Sequence, residues 1–144
     1  MDILEWLKKS DDVSRQMIRE AEEGIARLRA ENAEYSRLNS ELCSFYASGS
    51  AAEKSGDLLG AAGWYERGLS FGESSQRLRI NDYFRFIERL AVVYRKLKRF
   101  DDEVRVIRLA LAHRNDGRVY DAPFARLEVR LGRALALRDK NKNV

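Results

Sequence analysis

The chain has 144 residues, 44% of them hydrophobic, with one Pro, one Cys and one His, enough to bury a single-domain core without disulfides or metal. One cysteine forms no internal disulfide and one Cys with one His makes no zinc cluster, so no metal and no cofactor are expected. The net charge of +4 conceals an asymmetry: residues 1–75 carry 9 Lys and Arg against 14 Asp and Glu, while residues 76–144 carry 18 against 9. The acidic first half and basic second half point to an acidic peptide, phosphate or acidic surface as partner, or to a solvated face.

No apolar run approaches the roughly 18–20 residues of a membrane span, and MDILEWLKK lacks a signal-peptide layout. A soluble cytoplasmic protein is expected. Ala, Leu, Arg and Glu dominate, and no turn dipeptide joins two alternating runs, which predicts an all-α fold.

The first element expected is a short helix from Asp2 to Lys9, closed by Ser10, Asp11 and Asp12, which then cap the next helix. From Ile18 the apolar residues follow a heptad through Ala21, Ile25, Leu28, Asn32, Tyr35, Asn39 and Leu42. Alternating steps of three and four suit knobs-into-holes packing, in which an Asn specifies register and strand number at some cost in stability. The seam Ile25, Leu28, Asn32, Tyr35 and Asn39 therefore serves either a homodimer or packing within the chain, and Gly24 weakens it.

Beyond this N-terminal segment, residues 1–41, the sequence repeats itself. LCSFYASGSAAEKSGDLLGAAGWYERGLSFG and FRFIERLAVVYRKLKRFDDEVRVIRLAL each read as two helices joined by a tight turn. The first unit places Phe45, Gly49 and Ala52 on helix A, turns at Ser55-Gly56-Asp57, and carries Ala61, Tyr65, Gly68 and Leu69 on helix B. In the second the matching residues are Ile87, Leu90, Ala91 and Tyr94, a turn at Leu97 to Arg99, then Phe100, Ile107, Ala110 and Leu111. A partial third unit starts at Asp121 and Pro123, with Leu131, Gly132 and Leu135 at the helix A positions.

This pattern resembles the tetratricopeptide repeat (TPR), over residues 42–75, 84–117 and, in part, 122–138, with a frayed basic tail at 139–144. The unit spacing of about 42 residues, as in LAVVYRKLKRF, is also similar to the long repeats of kinesin light chains. Two positions depart: Glu103 stands where the family has a small residue, and Ser48 where it has a large apolar one. The resemblance implies an α-solenoid of antiparallel helix pairs behind a long N-terminal helix, whose A helices line a groove.

On that groove face the sequence places Tyr46 from the first A helix, Arg85, Arg89 and Lys96 from the second, and Arg126, Arg130 and Arg133 from the third. An arginine fork donates two parallel hydrogen bonds to a carboxylate or phosphate, so the groove favours an acidic peptide or helix. The same arginines also fit an ordinary solvated helix, helped by Glu88 and Glu128. The family's chaperone-binding members use Lys and Asn in the first repeat to hold a terminal carboxylate; Tyr46 and Ser50 stand there instead, which disfavours that partner.

The aromatic residues of the repeats recur at helical spacing and read as packing rather than base-stacking platforms, with Trp6, Phe86 and Tyr120 the candidates for exposure. Cys43 is expected as a buried thiol, and His113 near a helix B end, favourable to the helix dipole. No nucleophile and base pair is assembled, so no catalysis is expected. The function implied is a non-catalytic scaffold or adaptor; the alternative is nucleic acid or another polyanion bound by the basic half.

Overall fold

The computed structural model describes residues 2–116 and 120–142. Among these residues the chain is helical with no strand: α1 (Ile3–Lys54), α2 (Leu58–Ser74), α3 (Ile80–Lys96), α4 (Phe100–Leu111) and α5 (Asp121–Lys142). No helix of the described residues is long and apolar enough to cross a membrane. The chain divides into two units, residues 1–37 and 38–144.

The first unit is the N-terminal part of α1. The expected break at Ser10-Asp11-Asp12 is absent, because α1 runs through it as helix. Ser and Asp each cost under about 0.7 kcal/mol in a helix interior, and without Pro or a Gly beside them they slow a helix but do not end it. Gly24 is likewise carried inside the helix. Ile3, Leu4, Trp6, Leu7, Met17, Ile18, Ile25 and Leu28 are all exposed.

In the second unit burial begins at Leu38 and Leu42. The helix α1 ends because Gly56 turns the backbone left-handed (φ +85°), which lets Asp57 N–H reach the carbonyl of Ala52 at 2.9 Å. Asp57 then starts α2 by accepting from Gly60 N–H at 2.9 Å. The same closure recurs after α3, where Arg99 N–H donates to Tyr94 at 2.8 Å, with Lys98 in the left-handed position (φ 58°). Helix α3 begins with Asp82 accepting from Arg79 N–H at 2.8 Å.

Consecutive helices pack on one another, α2 on α3, α3 on α4 and α4 on α5. The core is built around Tyr65, Phe86, Ile87, Leu90, Ile107 and Phe124, none more than 1% exposed. Full burial of such side chains contributes about 1.5–3 kcal/mol each. Glycines set the approach: a Cβ on Gly49 would fall inside the Tyr65 ring, one on Gly68 inside Phe86, and one on Gly72 inside Tyr83. The three buried tyrosines each donate to a carboxylate, Tyr65 to Glu53 (2.8 Å), Tyr83 to Glu73 (2.9 Å) and Tyr94 to Glu66 (2.6 Å). Burial, then the carboxylate that accepts from each hydroxyl, pushes all three phenols well above their ordinary range, so they remain neutral donors.

Four sequence expectations change. Helix α5 continues through 139–142, where a frayed tail was expected; Lys140 and Lys142 in the last turn complement its dipole. Residues 143–144 lie outside the described residues, as do 117–119, the first of which closes the expected second unit. Helix α4 ends at Leu111, so His113 lies beyond it, where its Nδ1 faces Asp116 (2.6 Å) and its Nε2 Glu73 (3.1 Å). Cys43 is exposed, not buried, because it lies one residue beyond the fully buried Leu42, off the packed face. Of the three aromatics singled out, Trp6 and Tyr120 are exposed and Phe86 is fully buried.

Candidate functional site

A cleft of ≈ 420 Å³ lies across the second unit, between the C-terminal part of α1, α3 and α5. Its charged lining is Arg85, Glu88 and Arg89 from α3 with Arg126 and Arg130 from α5. Tyr46, Val92, Pro123 and Leu127 supply its apolar walls. Thus five of the seven residues assigned to the groove from sequence share one cavity. Lys96 and Arg133 are exposed and do not line it. Lys96, in the last turn of α3, touches the site only through its charge on Glu53.

The four cleft arginines are not equivalent. Arg89 donates through Nε to Glu53 Oε1 at 2.9 Å and makes an ion pair through Nη2 with Glu53 Oε2. That hydrogen bond, the largest influence, holds the Glu53 carboxyl below its ordinary value despite burial, and raises the Arg89 guanidinium in turn. Arg130 donates through Nε to Glu103 at 3.1 Å, and the same carboxylate accepts from Arg95 Nε at 3.1 Å and pairs with Arg95 Nη2 at 2.8 Å. Glu103 is fully buried. Burial and the neighbouring Arg95 charge lower the Arg130 pKa from its ordinary value.

The offset of 42 and then 41 residues between corresponding positions explains this arrangement. Glu53 on α1 has Arg95 as its counterpart on α3, and Arg89 on α3 has Arg130 on α5. Across the first pair of helices an acid meets an arginine directly. Across the second, two arginines would meet, and Glu103, rising from α4 at the position that corresponds to Ala61, lies between them and pairs with both. Glu103, one of the two residues that depart from the expected pattern, is therefore the acid that this interface needs. In sequence Glu103 stands out only as an acid where a small residue is expected; the signal for its pairing is Arg95 standing at the Glu53 position.

Arg85 and Arg126 remain without a carboxylate. The Arg85 guanidinium stacks over the Tyr46 ring, 4.4 Å from its centroid, and donates through Nη2 to Cys43 Sγ at 3.5 Å. Its buried Nε has no hydrogen-bond partner. Stacking on an aromatic face holds the planar fork in place while preserving its charge. Arg126 is exposed, with no carboxylate at ion-pair distance among the described residues. The cleft thus offers two cations whose charge is not already spent within the protein, beside a wall of Val92, Pro123 and Leu127. Among the described residues no group of three or more His, Cys, Asp or Glu is placed to hold a metal ion.

The seam residues fall in two groups. Ile25, Leu28, Asn32 and Tyr35 are exposed on the first unit, and Asn39 is exposed at the start of the second. In comparisons with known proteins, no family model, curated sequence or solved structure matches this chain.

Proposed function

We propose that the chain is a non-catalytic interaction module of TPR-like helix pairs, working in solution inside the cell as a scaffold or adaptor. It captures an acidic segment of another protein in the cleft between α3 and α5. The observation that carries this reading is the unequal use of the arginines: Arg89 and Arg130 are spent on Glu53 and Glu103, whereas Arg85 and Arg126 face the cleft without carboxylates. An incoming carboxylate would complete them, and an adjoining apolar side chain would cover Val92 and Leu127. A hydrogen bond to a charged group contributes about 1.5–3 kcal/mol.

The test is fluorescence anisotropy with a labelled peptide of alternating Glu and Leu, against its Gln-for-Glu counterpart. The acidic peptide is expected to bind and the neutral one not. Arg126→Glu should weaken binding by about 10-fold or more, equivalent to about 1.4 kcal/mol, while Arg133→Glu, outside the cleft, leaves it unchanged. Equal binding of both peptides, or indifference to Arg126→Glu, refutes the reading. Retention of single-stranded RNA with a steep loss on adding salt would favour the polyanion alternative instead.

A further inference from the structure

We infer that residues 18–39 of α1 pair with the same segment of a second copy of this chain, as a parallel, in-register, two-stranded coiled coil. The proposal is independent of the cleft. Its starting point is that Ile18, Ile25 and Leu28 are 58%, 50% and 60% exposed on a helix with no interruption between Ile3 and Lys54. At 1.5 Å per residue the seam from Ile18 to Asn39 runs about 32 Å, or three heptads. It stops there because Leu42, the next seam position, is fully buried in the second unit.

Residue identity says what covers this face. Ile18 and Ile25 occupy the positions where β-branched residues favour two parallel strands, and Leu28 the position where leucine does. Asn32 then decides the partner. Covered by an unrelated apolar helix, its amide would be buried without a hydrogen bond, which is costly. An antiparallel copy centred between Ile25 and Leu28 would place Asn32 opposite Ala21, with the same result. Only a parallel copy sets each Asn32 against the Asn32 of the other chain, where the two amides satisfy each other, and repeats this at Asn39. The flanks agree: in that register Glu22, Arg29 and Ser36 meet Met17, Gly24 and Glu31 of the second copy, with no like-charge pair.

Sedimentation equilibrium of the full chain tests this. Twice the chain mass is expected at high concentration, and Ile25→Glu with Leu28→Glu should raise the dissociation constant by about 100-fold or more, the scale of losing an interface's central apolar anchors. Circular dichroism should show the thermal transition of the second unit retained. A wild-type chain that stays monomeric at every concentration, or a double variant that still dimerises, overturns the inference. Orientation has its own readout in a Cys43→Ser background. Asn32→Cys should form an interchain disulfide on mild oxidation. Preferential crosslinking between an Ala21→Cys chain and an Asn32→Cys chain would show the antiparallel arrangement and overturn the parallel one.

Discussion

Replacing Glu103 by Gln keeps its shape but removes the negative charge shared by Arg95 and Arg130. The carboxylate is fully buried, accepts from Arg95 Nε and Arg130 Nε, and forms an ion pair with Arg95 Nη2. Removing one partner from a buried ion pair costs about 3–5 kcal/mol, because the remaining charge is left uncompensated. Here the two arginine side chains are 25% and 28% exposed, so water recovers part of their charge, and the glutamine oxygen still accepts one hydrogen bond. We expect a loss of about 2–4 kcal/mol, a large share of the 5–15 kcal/mol that holds a typical domain. At roughly 4 °C per kcal/mol this is a fall in Tm of about 8–16 °C. Urea unfolding followed by circular dichroism measures it directly. Arg95→Met combined with Glu103→Gln should cost less than the two separately, because the carboxylate serves both arginines. A loss below about 0.5 kcal/mol, the level of an ordinary surface substitution, would refute the reasoning.

Three further outcomes follow from the same packing. Gly68→Ala should destabilise by about 1–3 kcal/mol in urea unfolding, because its methyl enters the buried Phe86 ring, whereas Gly132→Ala, with nothing within 4 Å, should be neutral or stabilise by up to about 1 kcal/mol. Lys98→Gly should raise Tm, and Gly56→Ala lower it, since both positions are left-handed and a side chain there costs about 1–2 kcal/mol; equal effects in the two would reject the αL assignment. Glu53 is held below its ordinary value of 4.5, chiefly by the hydrogen bond from Arg89. Its contribution is therefore complete above that value and vanishes as pH falls through the lower folded value. The stability gap between wild type and Glu53→Gln should close on acidification, and a gap that persists at the acid end would show that the pair is not its source.

These outcomes bear on how the cleft is probed. From sequence, Arg89 and Arg130 look like the natural residues to reverse in a binding experiment, since they stand at equivalent places on successive helices. The structure ties both to carboxylates, so charge reversal there would unfold what it was meant to test. Arg126 is the informative position because it is exposed and carries no ion pair among the described residues.

Local chemistry made much of this protein readable in advance. Composition pointed away from sheet; Ser55-Gly56-Asp57 marked a helix end because glycine alone turns left-handed without strain; Asp121 and Pro123 marked a helix start; and the 41-residue offset paired Arg85 with Arg126 and Arg89 with Arg130, which the fold gathers with Tyr46 around one cleft. These are properties of neighbouring residues and of helical period, and both are written in sequence order. The continuity of α1 through Ser10-Asp11-Asp12 was not legible, because weak helix formers end a helix only where an alternative local structure competes. The exposure of Cys43 depended on which face of α1 received α2. Above all, whether an arginine is free or spent was decided in three dimensions. Glu103 looks in sequence like the first turn of a helix, and only the packing of α3, α4 and α5 encloses it between Arg95 and Arg130, since charge pairing depends on distance across elements and not along the chain.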